Sequence, residues 1–341
     1  MSLNSHSSPL ARNYPILLKE LVAALVAGFL IAFAVVGLWL IASPSLSLVF
    51  ILAFISLGVL LLSYFSVRLI LVPHRSRVQR GLATFGLARW EDIGFRATDG
   101  IVIGAWYVPP RPEADGATLI YLHGLGGNRG ELASQVAMLA RHGYGALVLD
   151  MRNHGRSGRA MTTLGHLEVE DVRGAVAYLE SRAEVNPERI GIFGHSMGAA
   201  TAVCAAARIP QIRAVVAQNT FTSLTENIEA GVITQLGLPP FPFVPLIAWL
   251  GELTSGLRIK MVRPIDEVAK ISPRAILFIH GREDRYVSSD NSRRLYAAAY
   301  EPKALHLINQ GDHNALALAE SNGYENKVTV FLERYLLGYR P

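Results

Sequence analysis

The chain has 341 residues, a formal charge of +5, 51% hydrophobic residues and one cysteine, enough for one large catalytic domain or two ordinary ones. Residues 1–90 carry +6 and the remainder −1, so the larger part of the chain offers no basic surface for nucleic acid. The lone Cys204 excludes an internal disulfide framework, and ten histidines scattered without H-E-x-x-H or paired ligand spacing argue against a metal site.

In chain order, the first feature is a run of 47 residues, Leu21 to Val67, without a charge. One crossing of about 30 Å of hydrocarbon takes roughly 20 residues, so the run is long enough for two helices and a tight turn. The spacing predicts helices near 17–42 and 46–71, joined by a turn at Ser43, Pro44, Ser45 and Ser47, so that residues 1–72 form a transmembrane hairpin. A cleaved signal peptide fits poorly: its apolar stretch is shorter, and no small-x-small site closes the segment. Arg12 and Lys19 precede the hairpin, Arg68, Arg75, Arg77 and Arg80 follow it, and the turn has no Lys or Arg. By the positive-inside rule both ends lie in the cytosol. Trp39 and Tyr64 sit near span ends, and residues 73–90 read as a basic juxtamembrane linker.

After Trp90 short apolar runs alternate with helical stretches, the pattern of βαβ units. Strands are expected at IGFRAT and VIGAWYVP, with Asp99 and Gly100 as the turn between them. Next come TLIYLHG, a helix over 130–142, GALVLD, a helix over 168–183 and RIGIFG. The series closes with IRAVVAQN, RAILFIHG, a helix over 288–300, ALHLIN and a helix over 322–336. These make an α/β domain over 91–341, with a mostly parallel sheet of about eight strands covered by helices on both faces, whose sites belong at carboxyl strand ends. The rhythm breaks over 222–272, an apolar, proline-punctuated insertion that reads as a cap. Phe221, Phe241, Phe243 and Trp249 are its candidate substrate-binding residues, favouring an acyl or hydrophobic substrate portion.

The strand RIGIFG runs into Gly194, His195, Ser196, Met197 and Gly198 and then into an alanine-rich helix. A serine on such a strand-to-helix turn is strained, which requires small residues two positions either side. The turn aims the Ser196 hydroxyl off the top of the sheet and sets the Met197 amide at a helix start, where an oxyanion binds. A hydroxyl is a poor nucleophile, so it needs a base, and the base an orienting carboxylate. Asp284 follows RAILFIHG and His313 follows ALHLINQ, both beyond strand ends. Glu283 is one residue out of place, Asp312 reads as shaping a turn, His306 lies within a strand, and His195 reads as packing. The loop His123 to Asn128 supplies the second oxyanion donor, with Leu125 as the expected amide and Gly124 and Gly126 letting backbone approach. A dinucleotide site is excluded because the third glycine of G-x-G-x-x-G falls on Arg129.

HGLGGNR, LDMRNHGRSG, GHSMG, HGREDRYV and GDHN stand in this order across about residues 91–338. Together they resemble the α/β-hydrolase superfamily, in particular its prolyl-oligopeptidase-like and serine-aminopeptidase-like branch and membrane-tethered acyl hydrolases. The resemblance implies an α/β-hydrolase fold with Ser196 as nucleophile, Asp284 as orienter, His313 as base, an acyl-enzyme intermediate and no cofactor. It also implies a structural loop near the site at Asp150 to Gly158, whose Arg152, Asn153 and His154 are read as holding the loop, with substrate contact as the alternative. The expected protein is a membrane-anchored serine hydrolase of carboxylic esters or thioesters, acting on small acyl or lipid-like substrates, with its catalytic domain on the cytosolic side. A serine peptidase uses the same constellation, and a non-catalytic membrane scaffold is the reading from a different class.

Overall fold

The computed structural model describes residues 24, 27–33, 44–314 and 321–338. Helix α1, Pro44–Leu71, begins two residues before the expected span, with proline at its first position, where the missing amide costs nothing. Among the described residues, one helix is long and apolar enough to cross a membrane, Ser47–Leu71, with a mean hydropathy of 2.6. Most of the expected first span, near 17–42, lies outside the described residues; 27–33 are helical, and Phe29 stacks on Phe54 with ring centroids 3.7 Å apart.

The eight expected strands form one sheet in the order β1-β2-β4-β3-β5-β6-β7-β8. Strands β1 (Glu91–Arg96) and β2 (Val102–Val108) form the antiparallel edge, and β2 runs antiparallel to β4 (Gly145–Leu149). The other neighbours, β3 (Thr118–Leu122), β5 (Ile190–His195), β6 (Ile212–Gln218), β7 (Ala275–Gly281) and β8 (Lys303–Ile308), are parallel. Central strands β3, β4, β5 and β7 are buried throughout, which is why they read as continuous apolar runs rather than alternating ones. Helices α2 (Ala133–Arg141), α3 (Glu168–Glu180), α4 (Met197–Ala206), α8 (Asp290–Ala298) and α9 (Ser321–Tyr335) follow the strands at the expected places.

Because β3 lies between β4 and β5, the chain leaves it in opposite directions along the sheet. In open α/β sheets such a switch point, at the carboxyl ends of β3 and β5, is where ligands bind. Leu122 pairs with Gly194 there, so the loop after β3 and the turn after β5 emerge side by side. Helix α4 is buried along its whole length, and its alanines and glycine let it lie close to the strands. A Cβ on Gly198 would stand 2.2 Å from the Leu122 carbonyl oxygen, and one on Gly194 would stand 2.3 Å from the Gly198 oxygen. Both neighbours are backbone and cannot step aside. Gly198→Ala is therefore expected to cost about 1–3 kcal/mol, read as a lower thermal midpoint of the full chain in detergent. Gly231→Ala in the cap is the contrast: its Cβ meets nothing nearer than 4.0 Å, and helix propensity gains about 1 kcal/mol.

The insertion after β6 is helical, with α5 (Leu224–Thr234), α6 (Pro240–Ser255) and α7 (Pro264–Glu267). Helix α6 packs on α5 and against α1. The last turns of α1 are accordingly covered, with Ser63, Ser66, Val67 and Leu71 buried. The basic segment 73–90 is packed too. Leu71 O accepts from Asn153 Nδ2 and Thr162 N, both at 3.0 Å, and the Arg75 guanidinium donates to Gly155 O at 2.7 Å and to Ser157 O. Asn128 Nδ2 donates to Ser76 Oγ at 2.9 Å, and Leu82 is fully buried.

Candidate active site

Ser196 ends β5 at φ 53°, ψ −117°, a region that L residues with a Cβ enter only under strain. The surrounding fold holds it there: Ser196 N donates to Gln218 O at 2.9 Å, and Ser196 O accepts from Ala199 N and Ala200 N at 3.0 Å. The hydroxyl donates to His313 Nε2 at 3.0 Å, and His313 Nδ1 donates to Asp284 Oδ2 at 2.6 Å. Residues 117 and 88 positions from the serine thus meet as a hydroxyl, an imidazole and a carboxylate in line.

Asp284 is the best-held group of the three. Its Oδ1 accepts from Tyr286 N and Val287 N, both at 2.9 Å. Its Oδ2 faces, besides His313, the fully buried His280 at 3.3 Å. The His280 ring donates to Val287 O at 2.9 Å and accepts from Ser292 Oγ at 2.7 Å. Burial alone would raise the carboxyl pKa, but hydrogen bonds from His280, His313 and the Val287 amide hold it well below the usual carboxylate range. For His313, burial pushes the pKa down, the Asp284 bond pushes it up and the His195 charge pushes it down again, with a net lowering.

The loop after β3 is pinned amide by amide. Gly124 N donates to Glu131 Oε1 at 2.8 Å, Gly126 N to His154 Nε2 at 3.1 Å and Gly127 N to Gly124 O at 3.1 Å. His123 holds the loop, accepting from Met151 N at 3.0 Å and donating to Gly124 O. His154 is neutral: burial, with His123 beside it, pushes its pKa down to about 3. The amides of Leu125 and Met197 donate to no protein acceptor among the described residues. One lies in the loop after β3 and the other at the start of α4, on either side of Ser196, and both can donate to an oxygen held there.

Other candidates fall into place around this core. Glu283 is exposed, Asp312 accepts from Asn314 N at 2.9 Å as a turn, and Arg152 is buried against Asp171 and Asp99. Phe221 and Phe243 are buried, whereas Phe241 and Trp249 are 79% and 55% exposed. Those two expected pocket residues therefore lie on the surface of the cap. His195, expected to pack, is instead hydrogen-bonded at both ring nitrogens, and Glu131, which sequence reasoning passed over, is one of its partners. The available signal was weak: a carboxylate four residues beyond Gly127 in a loop otherwise lacking one.

Comparison with known proteins agrees with this architecture. The family model described as alpha/beta hydrolase fold matches residues 117–243. The protein YfhR of Salmonella typhi is 30% identical over 264 residues, covering 73% of this chain and 83% of its own. Among solved structures, the Pyrococcus furiosus esterase Pf2001 superposes with a TM-score of 0.64 at 22% identity, covering 78% of this chain and 98% of that one. The Pyrococcus horikoshii acylaminoacyl peptidase gives a TM-score of 0.59 at 18% identity over 76% of this chain and 44% of the peptidase. With an eight-stranded sheet reversing at β3, a serine at the sharp turn after β5 and these likenesses, the chain belongs to the α/β-hydrolase superfamily.

Proposed function

We propose that the protein is a membrane-anchored serine hydrolase that cleaves carboxylic ester or thioester bonds of acyl or lipid-like substrates. The observation that carries this reading is the line from Ser196 Oγ through His313 to Asp284 at 3.0 and 2.6 Å, beside two unengaged amides. Ser196 attacks the acyl carbonyl while His313 Nε2 takes its proton, and Asp284 fixes the tautomer and supports the imidazolium. The Leu125 and Met197 amides bind the oxyanion, each such donor being worth roughly 3–4 kcal/mol in the transition state. His313 then returns its proton to the leaving alcohol or thiol, and water cleaves the acyl-enzyme by the same steps in reverse order of roles. A peptidase would use the same groups; the apolar cap and span favour an acyl or lipid-like substrate portion.

The cap supports an apolar substrate portion and a bilayer nearby. Helix α6 has one charged residue, Glu252, in sixteen. It buries Phe243, Ile247 and Leu250 but leaves Phe241, Trp249 and Leu253 exposed, and it packs on α1. A helix apolar on every face belongs in a core or against lipid, and α1 has the length and hydropathy of a span. In this reading α1, with a first helix before it, forms the hairpin anchor and the catalytic domain sits on the cytosolic side.

A panel of p-nitrophenyl esters tests the substrate class on the full chain in detergent. The expected result is kcat/KM at least about 10-fold higher for octanoate than for acetate, since each buried CH₂ contributes about 0.8 kcal/mol. Activity confined to the acetyl ester would contradict an acyl or lipid-like substrate. A reporter fused to the C-terminus reads cytosolic on this account, and an extracytoplasmic signal would overturn the orientation.

A further inference from the structure

His195 precedes the serine, is 4% exposed and places its ring centroid 5.0 Å from that of His313. Its Nδ1 lies 2.6 Å from Glu131 Oε1 and its Nε2 lies 2.7 Å from the backbone oxygen of His313. A carboxylate and a carbonyl are both acceptors, while a neutral imidazole has a single N–H. To satisfy both partners the ring must carry two protons, and it is then a cation. The Glu131 oxygen also accepts from Gly124 N, and its carboxylate retains 29% exposure, so it stays ionised. A Cβ on Gly127 would stand 2.0 Å from Glu131 Oε2, so the loop is shaped around this carboxylate.

The connectivity matters as much as the charge. From Gly124 in the loop after β3, the bonds run through Glu131 and His195 to the main chain of His313 in the loop after β8. The same His313 oxygen accepts from Asn219 Nδ2 at 2.7 Å, and Asn219 Oδ1 accepts from Gly281 N at 3.1 Å. We propose that Glu131 and His195 form a permanently charged bridge that positions the oxyanion loop and His313 together and sets the pH at which His313 can act as a base. The two are positioning residues; neither reaches the reacting atoms. This rests on reading Ser196 and His313 as nucleophile and base.

The charged groups around His313 are Asp284, His195 and Glu131, with the Tyr286 ring at 5.4 Å. A cation beside His313 disfavours its protonated form, and the carboxylates favour it. His195→Gln keeps a donor toward His313 O but removes the positive charge and leaves both carboxylates. The His313 pKa then rises, and the acid limb of activity moves to higher pH. His195→Ala and Glu131→Ala break the bridge itself. Acting through one chain of bonds, their effects do not add in the double variant.

The experiment uses the full chain in detergent with two readouts. In the first, ¹⁵N-histidine NMR, with His195→Gln identifying the signal, finds His195 protonated on both nitrogens at pH 8, well above the ordinary histidine value of about 6.5. That readout needs no turnover, so it tests the bridge even if Ser196 proves unreactive. In the second, the rate of fluorophosphonate labelling is followed against pH. The wild-type acid limb lies below about pH 6.5, His195→Gln moves it up by about half a unit or more, and His195→Ala lowers the plateau rate about 100-fold. The His195→Ala/Glu131→Ala double variant is no slower than the worse single variant. A neutral His195 at pH 7, an unmoved limb in His195→Gln, or fully additive losses would each overturn the proposal.

Discussion

Ser196→Ala leaves a folded protein whose ester hydrolysis falls by roughly 10⁴- to 10⁶-fold, the scale on which members of such a relay act as one unit. The loss appears in kcat, since the hydroxyl forms its bond only on the way to the acyl-enzyme. Residual turnover persists because the Leu125 and Met197 amides remain free to bind the oxyanion that forms on the substrate carbonyl when water attacks it directly. A second variant separates chemistry from strain. Ser196 holds φ 53°, which alanine must also adopt but glycine adopts without cost. Ser196→Gly is therefore expected to be equally inactive yet about 1 kcal/mol more stable than Ser196→Ala, as thermal midpoints in the same detergent will report.

Asp284→Asn is expected to lower kcat by about 10⁴-fold while KM stays near the wild-type value. An amide in place of the carboxylate cannot satisfy its four donors. The Tyr286 and Val287 amides would claim the carbonyl oxygen, leaving NH₂ facing the N–H groups of His313 and His280. His313 must then flip its tautomer, putting N–H toward Ser196 and removing the base. The carboxyl is held far below its usual pKa. It therefore contributes to stability above the ordinary carboxylate pKa of about 4, a contribution lost only as pH falls through its lowered folded value. Asp284→Asn should accordingly be less stable than wild type at pH 7, with the difference shrinking in acid.

The reacting groups are legible in the sequence because each sits where a strand ends and the sheet must hand over to a loop. GHSMG carries its own steric signature: a Cβ on either glycine would fall 2.2 or 2.3 Å from a backbone oxygen. The central strands β3, β4, β5 and β7 are legible for a related reason, since buried parallel strands are continuous apolar runs. What sequence reasoning misses are pairings across the fold. Glu131 and His195 are 64 residues apart, and nothing local marks a histidine as charged until both of its acceptors are known. The segment 73–90 reads as a basic juxtamembrane linker, yet Arg75 and Ser76 make their hydrogen bonds with the loops at 155–157 and 126–128. Composition gives a guanidinium's charge but not the carbonyls it finds. The cap is recognisable as apolar, but which aromatics point inward depends on how α6 rolls against α1 and α5. Phe243 is buried where Phe241 and Trp249 are exposed.

The packing of segment 73–90 also gives the proposed anchor a mechanical relation to the site. The end of α1 is bonded to Asn153 and Thr162, and Ser76 reaches Asn128 in the loop that carries Leu125. The α/β domain is thus fastened to the end of α1 beside the loop that carries Leu125. A chain shortened to begin at 91 would lose Leu82 from the core and the Arg75 and Ser76 bonds together, which is why the full chain is the material for every measurement above.

The proposed chemistry turns on whether Ser196 is a nucleophile activated by His313. The most direct measurement is covalent labelling of the purified full chain with a fluorophosphonate, followed by peptide mass spectrometry. The account predicts one adduct per chain, on Ser196, formed at a rate that falls as His313 is protonated and abolished in Ser196→Ala and His313→Ala. A folded wild-type chain that takes no label at Ser196, or that labels equally well without His313, would contradict it.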